Sequence, residues 1–212
     1  GDQVVVKGMR TENRIIKMQS GDEKLQGYVL SPGYVEIVHG DVATDAFQTA
    51  TCELINLPLL GHGPVEIVLP EATVKLSEVD DYKFIRQVMS ALKSTGILCK
   101  MEISFNTPAT DSEVDDLISS LCGLFSLSQR THVWCVSKKL QGSNGEKWLY
   151  QEPIFPYFRP SRPLIPVDHL GEFITRSLDN YKKEYKKWNL GLVQDYYLQN
   201  NLVFLLPSIT EF

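Results

Sequence analysis

Arg162 and His169 are separated by six residues, and such a pair could cut a phosphodiester. The imidazole would move a proton at the scissile phosphate, and the guanidinium would stabilise the charge that develops there. Pro163 and Pro166 fall between them, and proline interrupts regular helix. The expected reading is therefore a surface arginine and a histidine at a helix start, brought to this spacing by chance. A second constellation is basic. Lys182, Lys183, Lys186 and Lys187 interleave with Tyr181, Tyr185 and Trp188, and lysines with aromatics can bind RNA through phosphate contacts and base stacking. At helical spacing the aromatics fall on one stripe with the lysines beside or opposite it, which describes a buried seam and a solvated face. Lys182, Lys183, Lys186, Lys187, Tyr185 and Trp188 are thus candidates for RNA or partner binding, with protein contact favoured over nucleic acid.

The remaining motifs are weaker. Gly61-His62-Gly63-Pro64 could bring backbone amides close to an anion, but a turn between strands explains it equally well. Asp80, Asp81, Asp111, Asp115 and Asp116 lie near two expected helix starts, where the macrodipole favours acids. Pro160-Ser161-Arg162-Pro163 has the P-x-x-P form, with its arginines misplaced for the usual ligands. No serine sits in a G-x-S-x-G elbow. Cys52, Cys99, Cys122 and Cys135 form no C-x-x-C pair, and the closest approach of any cysteine to a histidine is His132 to Cys135. Structural zinc sites use close ligand pairs, so neither a metal site nor any other cofactor is expected. The thiols are expected to be reduced, which points to the cytoplasm.

These residues must be positioned by an ordinary folded chain. The sequence has 212 residues, of which 43% are hydrophobic and 22% charged, enough for a hydrophobic core and incompatible with a disordered or collagen-like polymer. Lys and Arg number 21 against 26 Asp and Glu, a net charge of −5, so the chain as a whole carries no electrostatic footprint for nucleic acid. The longest apolar run, Leu202 to Leu206, is far below the roughly 20 residues that span a bilayer. Near Gly1 no basic stretch precedes an apolar run, so no signal peptide is expected.

Period-two alternation and β-branched residues predict strands at Val4–Val6, Gly27–Leu30, Tyr34–His39, Cys52–Leu57, Val65–Leu69 and Ile97–Phe105. Ser31-Pro32-Gly33 reads as a break between two of them. Apolar spacing predicts a helix over Ser77–Lys93 and a clearer one over Asp111–Phe125, the latter with Thr110 and Glu113 as a capping box. Strands are expected at Thr131–Ser137 and Lys147–Gln151, then a proline-rich strap over 153–166. A helix from about Val167 to Trp188 follows, a break at Asn189-Leu190-Gly191, and a last helical segment from Leu192 to about Leu205. The fold class is α+β: a mostly antiparallel sheet or sandwich packed by one central helix, with C-terminal helices. By sequence it divides into a β-rich unit over 1–152, the strap, and a helical region over 167–212.

A β-rich region, then the run Leu117 to Ser128 ending Leu124-Phe125-Ser126-Leu127-Ser128, then His132-Val133-Trp134, resembles the N-terminal domain of ApeA-like, HEPN-associated bacterial proteins. Gly191-Leu192-Val193-Gln194-Asp195-Tyr196-Tyr197-Leu198 resembles the family's lead into its HEPN helices. The resemblance covers about Val65 to Phe204. It implies an antiviral, abortive-infection role in which a C-terminal HEPN domain cuts RNA with an Arg-x(4–6)-His motif. The chain to Phe212 is then expected to be the sensing or scaffold half, not itself an enzyme, acting through a protein partner or self-association of its C-terminal helices. The competing classes are a nuclease using Arg162 and His169 and a general protein-interaction domain.

Overall fold

The computed structural model describes residues 3–20, 23–40, 46–92, 95–151 and 163–188, with side chains over 34–39, 46–89, 95–151 and 163–184. Its strands are β1 (Gln3–Ser20), β2 (Glu23–Gly40), β3 (Phe47–Ile55), β4 (Val65–Val68), β5 (Ala72–Glu78), β6 (Ile97–Ala109), β7 (Trp134–Gly142) and β8 (Gly145–Gln151). The helices are α1 (Tyr82–Leu92), α2 (Asp111–Gln129) and α3 (Leu170–Trp188), the last preceded by a 3-10 turn at Val167–His169. The strands form a single sheet in the order β1-β2-β8-β7-β3-β6-β5-β4. Every neighbouring pair is antiparallel. The α+β class and the antiparallel sheet are as the sequence predicts.

Alternation along the strands produces one apolar face. Register aligns Val74, Ile103, Ala50 and Leu140 side by side across β5, β6, β3 and β7, and each is no more than 1% exposed. The next row places Leu76, Met101 and Cys52 beside Lys138. Val114, Leu117, Ile118, Leu121, Leu124 and Phe125 of α2 are buried in the same core as these strands. Leu170, Ile174, Leu178 and Tyr181 of α3 belong to it too, so the first two-thirds of the last described helix shares the sheet's hydrophobic core. Tyr82, Met89 and Leu98 form a separate small cluster around α1.

The capping box at the start of α2 is present. Glu113 N–H donates to Thr110 Oγ1, and Thr110 N–H donates to the Glu113 carboxylate at 2.8 Å. Thr110→Ala removes one arm of this exchange and should lower stability by about 1 kcal/mol, read from the urea midpoint at unchanged slope. At the other end Arg130 adopts left-handed backbone, φ 54°. There Thr131 N–H donates to Ser126 O, and Ser126 Oγ accepts from Val133 N–H at 2.9 Å. The connection into β7 is thereby fixed by a helix-end serine, and the strand begins at Trp134 instead of Thr131.

Two further boundaries differ from expectation. The residues Ser77 and Glu78 are strand, not helix, because they complete the β5 ladder opposite Lys100 and Cys99; α1 starts only at Tyr82. Ser31-Pro32-Gly33 does not interrupt β2: Pro32 pairs with Met9 and Ser31 with Arg10. Only Tyr34–Gly40 of β2 pairs with β8, so at Pro32 one side of the strand faces no other strand among the described residues. A missing N–H is tolerated at such a position. The helical segment expected over Leu192–Leu205, and most of the strap, lie outside the described residues.

Candidate functional site

Of the two residues proposed for RNA cleavage, Arg162 lies outside the described residues. His169 closes the 3-10 turn, with its N–H donating to Pro166 O at 3.0 Å, and its side chain is exposed. The basic cluster divides. Lys182 is held by Glu71, with 2.7 Å between Nζ and a carboxylate oxygen, and this contact together with the amides keeps the Glu71 carboxyl below its usual range against the opposing effect of burial. Lys182 therefore clamps α3 to the turn between β4 and β5. Lys183 is exposed. Tyr185, Lys186, Lys187 and Trp188 lie on α3, and their side chains are outside the described residues.

Tyr181 shows how the clamp is built. Gly123 sits opposite its ring, and a Cβ at that position would fall 2.1 Å from Tyr181 Oη. The absence of a side chain in α2 lets the phenol lie against the helix. Beside this crossing is a cavity of about 450 Å³ bounded by Phe105, Pro108, Glu113, Asp116, Tyr181 and Lys182. Glu113 already serves the α2 cap and Lys182 already meets Glu71, so these two charged groups are committed to joining elements.

A network of charges on the sheet's helix-facing side does the same work. Lys147 Nζ lies 2.7 Å from Asp111 and 3.2 Å from Glu36, while Lys138 contacts Asp111 and Asp115. Tyr34 donates its phenol proton to Glu36. That bond, with help from Lys147, holds the Glu36 carboxyl below its ordinary value although burial opposes it. The Tyr34 phenol is pushed up to about 12, by burial first and then by Glu36. The macrodipole argument for the acids at α2 is thus joined by a tertiary reason: Asp111 and Asp115 anchor the helix to β7 and β8.

All four cysteines are free thiols, three of them buried. Burial pushes Cys99 up to about 12 and Cys122 well above the usual thiol range, and Cys52 is raised by contact with Cys135 as well as by burial. Thiolate is the reactive form, so iodoacetamide at mild alkaline pH should leave Cys52, Cys99 and Cys122 unlabelled in the native protein. Intact mass should show four adducts only after denaturation. Among the described residues no group of three or more His, Cys, Asp or Glu is arranged to hold a metal ion, and no helix is long and apolar enough to cross a membrane.

The arrangement with the most chemical capacity is at the loop Leu59–Pro64. His62 Nδ1 lies 2.8 Å from an Asp168 carboxylate oxygen. The loop is pinned: Leu60 N–H donates to Tyr82 Oη at 3.3 Å, Gly61 N–H to Glu78 at 2.7 Å, and His62 N–H to Leu59 O at 3.1 Å. Leu60 and Gly61 both take left-handed backbone, with φ 60° and 79°, a turn that glycine makes freely and leucine does not. Below it a cavity of about 540 Å³ is lined by His62, Arg130 and the last residues of the strap. Sequence reading flagged this loop for its glycines but gave no sign of Asp168 or Arg130 as its neighbours. Their convergence depends on α2 ending where α3 begins, which is tertiary information.

Comparisons with protein-family models, with curated proteins and with solved structures give no match.

Proposed function

We propose that the chain is a non-enzymatic sensing and scaffold module, of the kind expected at the N-terminus of an ApeA-like HEPN protein, and that it self-associates through its C-terminal helical region. The observation that carries this reading is the way α3 is attached. Its apolar stripe is buried at Leu170, Ile174, Leu178 and Tyr181, and Tyr181 against Gly123 and Lys182 to Glu71 anchor it to the body of the domain. In sequence the stripe continues in register to Tyr185 and Trp188, still within the helix. An apolar stripe of that length is buried against something, and a second copy offers the same stripe with two-fold symmetry. Of the lysines and carboxylates that the sequence offered for chemistry, Lys182, Asp111 and Asp115 join secondary structure, which further favours a scaffold.

The nuclease alternative makes a distinct demand. Purified protein incubated with single-stranded RNA should leave the RNA intact under metal-free and magnesium-containing conditions alike. Cleavage that disappears in His169→Ala would overturn the non-enzymatic reading.

A further inference from the structure

We propose that Cys135 and Cys52 are a redox pair that closes to a reversible disulfide when hydrogen peroxide reaches Cys135. Their meeting follows from an irregularity in the sheet. Cys52 lies on β3 opposite Lys138 of β7, and Glu53 lies opposite Ser137. Continued regular pairing would set Leu54 opposite Val136 and Ile55 opposite Cys135, on the face away from Cys52. Instead the register slips by one residue: Leu54 lies opposite Cys135, and Val136 is the extra residue. A bulge re-aims the side chain beside it. Here it brings Cys135 to the face that Cys52 and Leu54 share, where it packs against the core. Cys52 and Cys135 meet through their side chains, and the Cys135 N–H is hydrogen-bonded to the Cys122 sulfur.

The two thiols differ in the way such a pair needs. Cys52 is 0% exposed, whereas Cys135 is partly exposed, so peroxide meets Cys135 first. The Cys135 thiol donates its proton to Ser137 O at 3.2 Å, a weak bond that leaves the sulfur lone pairs to react. That sulfur attacks one peroxide oxygen, the O–O bond breaks, and a sulfenic acid and water form. The Cys52 sulfur then attacks the Cys135 sulfur. The S–O bond breaks, and a second water leaves with the Cys52 proton. Two thiols are thereby oxidised and one peroxide is reduced to two waters. Burial and the neighbouring thiol keep Cys52 protonated, so it resolves an oxidised Cys135 without itself meeting oxidant from solvent. Diagonal neighbours across a ladder stand about 7–8 Å apart, slightly beyond the span of a relaxed disulfide. The bulge, where the ladder is already irregular, supplies the movement that closes the gap. A disulfide closed under strain is readily reduced, and the link is therefore reversible.

Oxidation of the full chain, reduced and freed of reductant, with stoichiometric hydrogen peroxide tests it. Intact mass should fall by two hydrogens per chain, peptide mapping should join the Cys52 and Cys135 peptides, and dithiothreitol should restore the starting mass. Cys135→Ser should form no disulfide. Cys52→Ala should stop at a Cys135 sulfenic acid that dimedone captures, while in the wild type the disulfide forms and dimedone captures little. Cys52→Ala truncates a core side chain, so where it does not fold the wild-type peptide map decides alone. Mass and map are read per chain, so self-association through α3 does not enter the result. The proposal is overturned if the folded wild type gains no internal disulfide, or if the bond found joins Cys135 to Cys122 or one chain to another.

Discussion

Phe125→Ala should lower the stability of the protein by about 3–5 kcal/mol, and Gly123→Ala, two positions earlier on the same helix, by about 1–3 kcal/mol. The two substitutions probe different faces of α2. Phe125 is fully buried in the core that the helix shares with the sheet, so truncation removes apolar contacts and leaves a cavity. Gly123 faces α3, and a methyl group there enters the space of the Tyr181 ring, whose Oη, Cζ and Cε1 lie 2.1, 2.7 and 3.1 Å from the added Cβ. Alanine would ordinarily strengthen a helix relative to glycine by about 1 kcal/mol. Here the clash outweighs that gain, because a phenol ring has only two rotatable bonds with which to withdraw. Urea unfolding of the two variants checks the magnitudes. A Gly123→Ala protein more stable than the wild type would mean that Tyr181 moves aside without loss.

Lys147→Met is expected to cost about 1–3 kcal/mol at neutral pH, the scale for taking one partner away from partly buried charged groups. Its cation neutralises both Glu36 and Asp111, and without it two carboxylates face each other at the start of α2. The pH dependence has a definite sign. In the folded wild type the Glu36 carboxyl is depressed below its ordinary value, chiefly by the Tyr34 phenol and then by Lys147. A depressed carboxyl contributes stability that is complete above its unfolded value and is lost as pH falls through the folded value. Wild type therefore loses this contribution on acidification, whereas the variant has less of it to lose. The stability gap between the two should narrow below about pH 4.5. A gap that stays constant from neutral to acid pH would show that Lys147 acts through its methylenes alone.

Local patterns were readable where a single element's own chemistry decided the outcome. Thr110 and Glu113 announced the start of α2, and the spacing of Val114, Leu117, Ile118, Leu121 and Phe125 announced its buried face, because capping and helical period are properties of neighbouring residues. Alternation in Met101-Glu102-Ile103 likewise marked β6. What could not be read was anything fixed by pairing at a distance. Ser77 and Glu78 carry no strand preference strong enough to separate them from the helix that follows; Lys100 and Cys99 across the ladder make them strand. Pro32 reads as a break until Met9 is seen opposite it. Lys182 stood as a candidate for RNA or partner binding on a solvated face, because Glu71, its partner, is remote in sequence. The same limit hid the approach of His62 to Asp168, while His169, the histidine singled out by spacing, occupies the neighbouring position in the turn and is exposed.

The account rests most heavily on the claim that the stripe continuing past Tyr181 joins two copies of the chain. Sedimentation velocity of the wild type and of Trp188→Ala over a wide concentration range tests it directly. The wild type should show a concentration-dependent dimer, and the variant should sediment as a monomer with an unchanged circular dichroism spectrum and thermal midpoint. A wild type that remains monomeric at the highest attainable concentration, or a Trp188→Ala variant that dimerises as before, would contradict it.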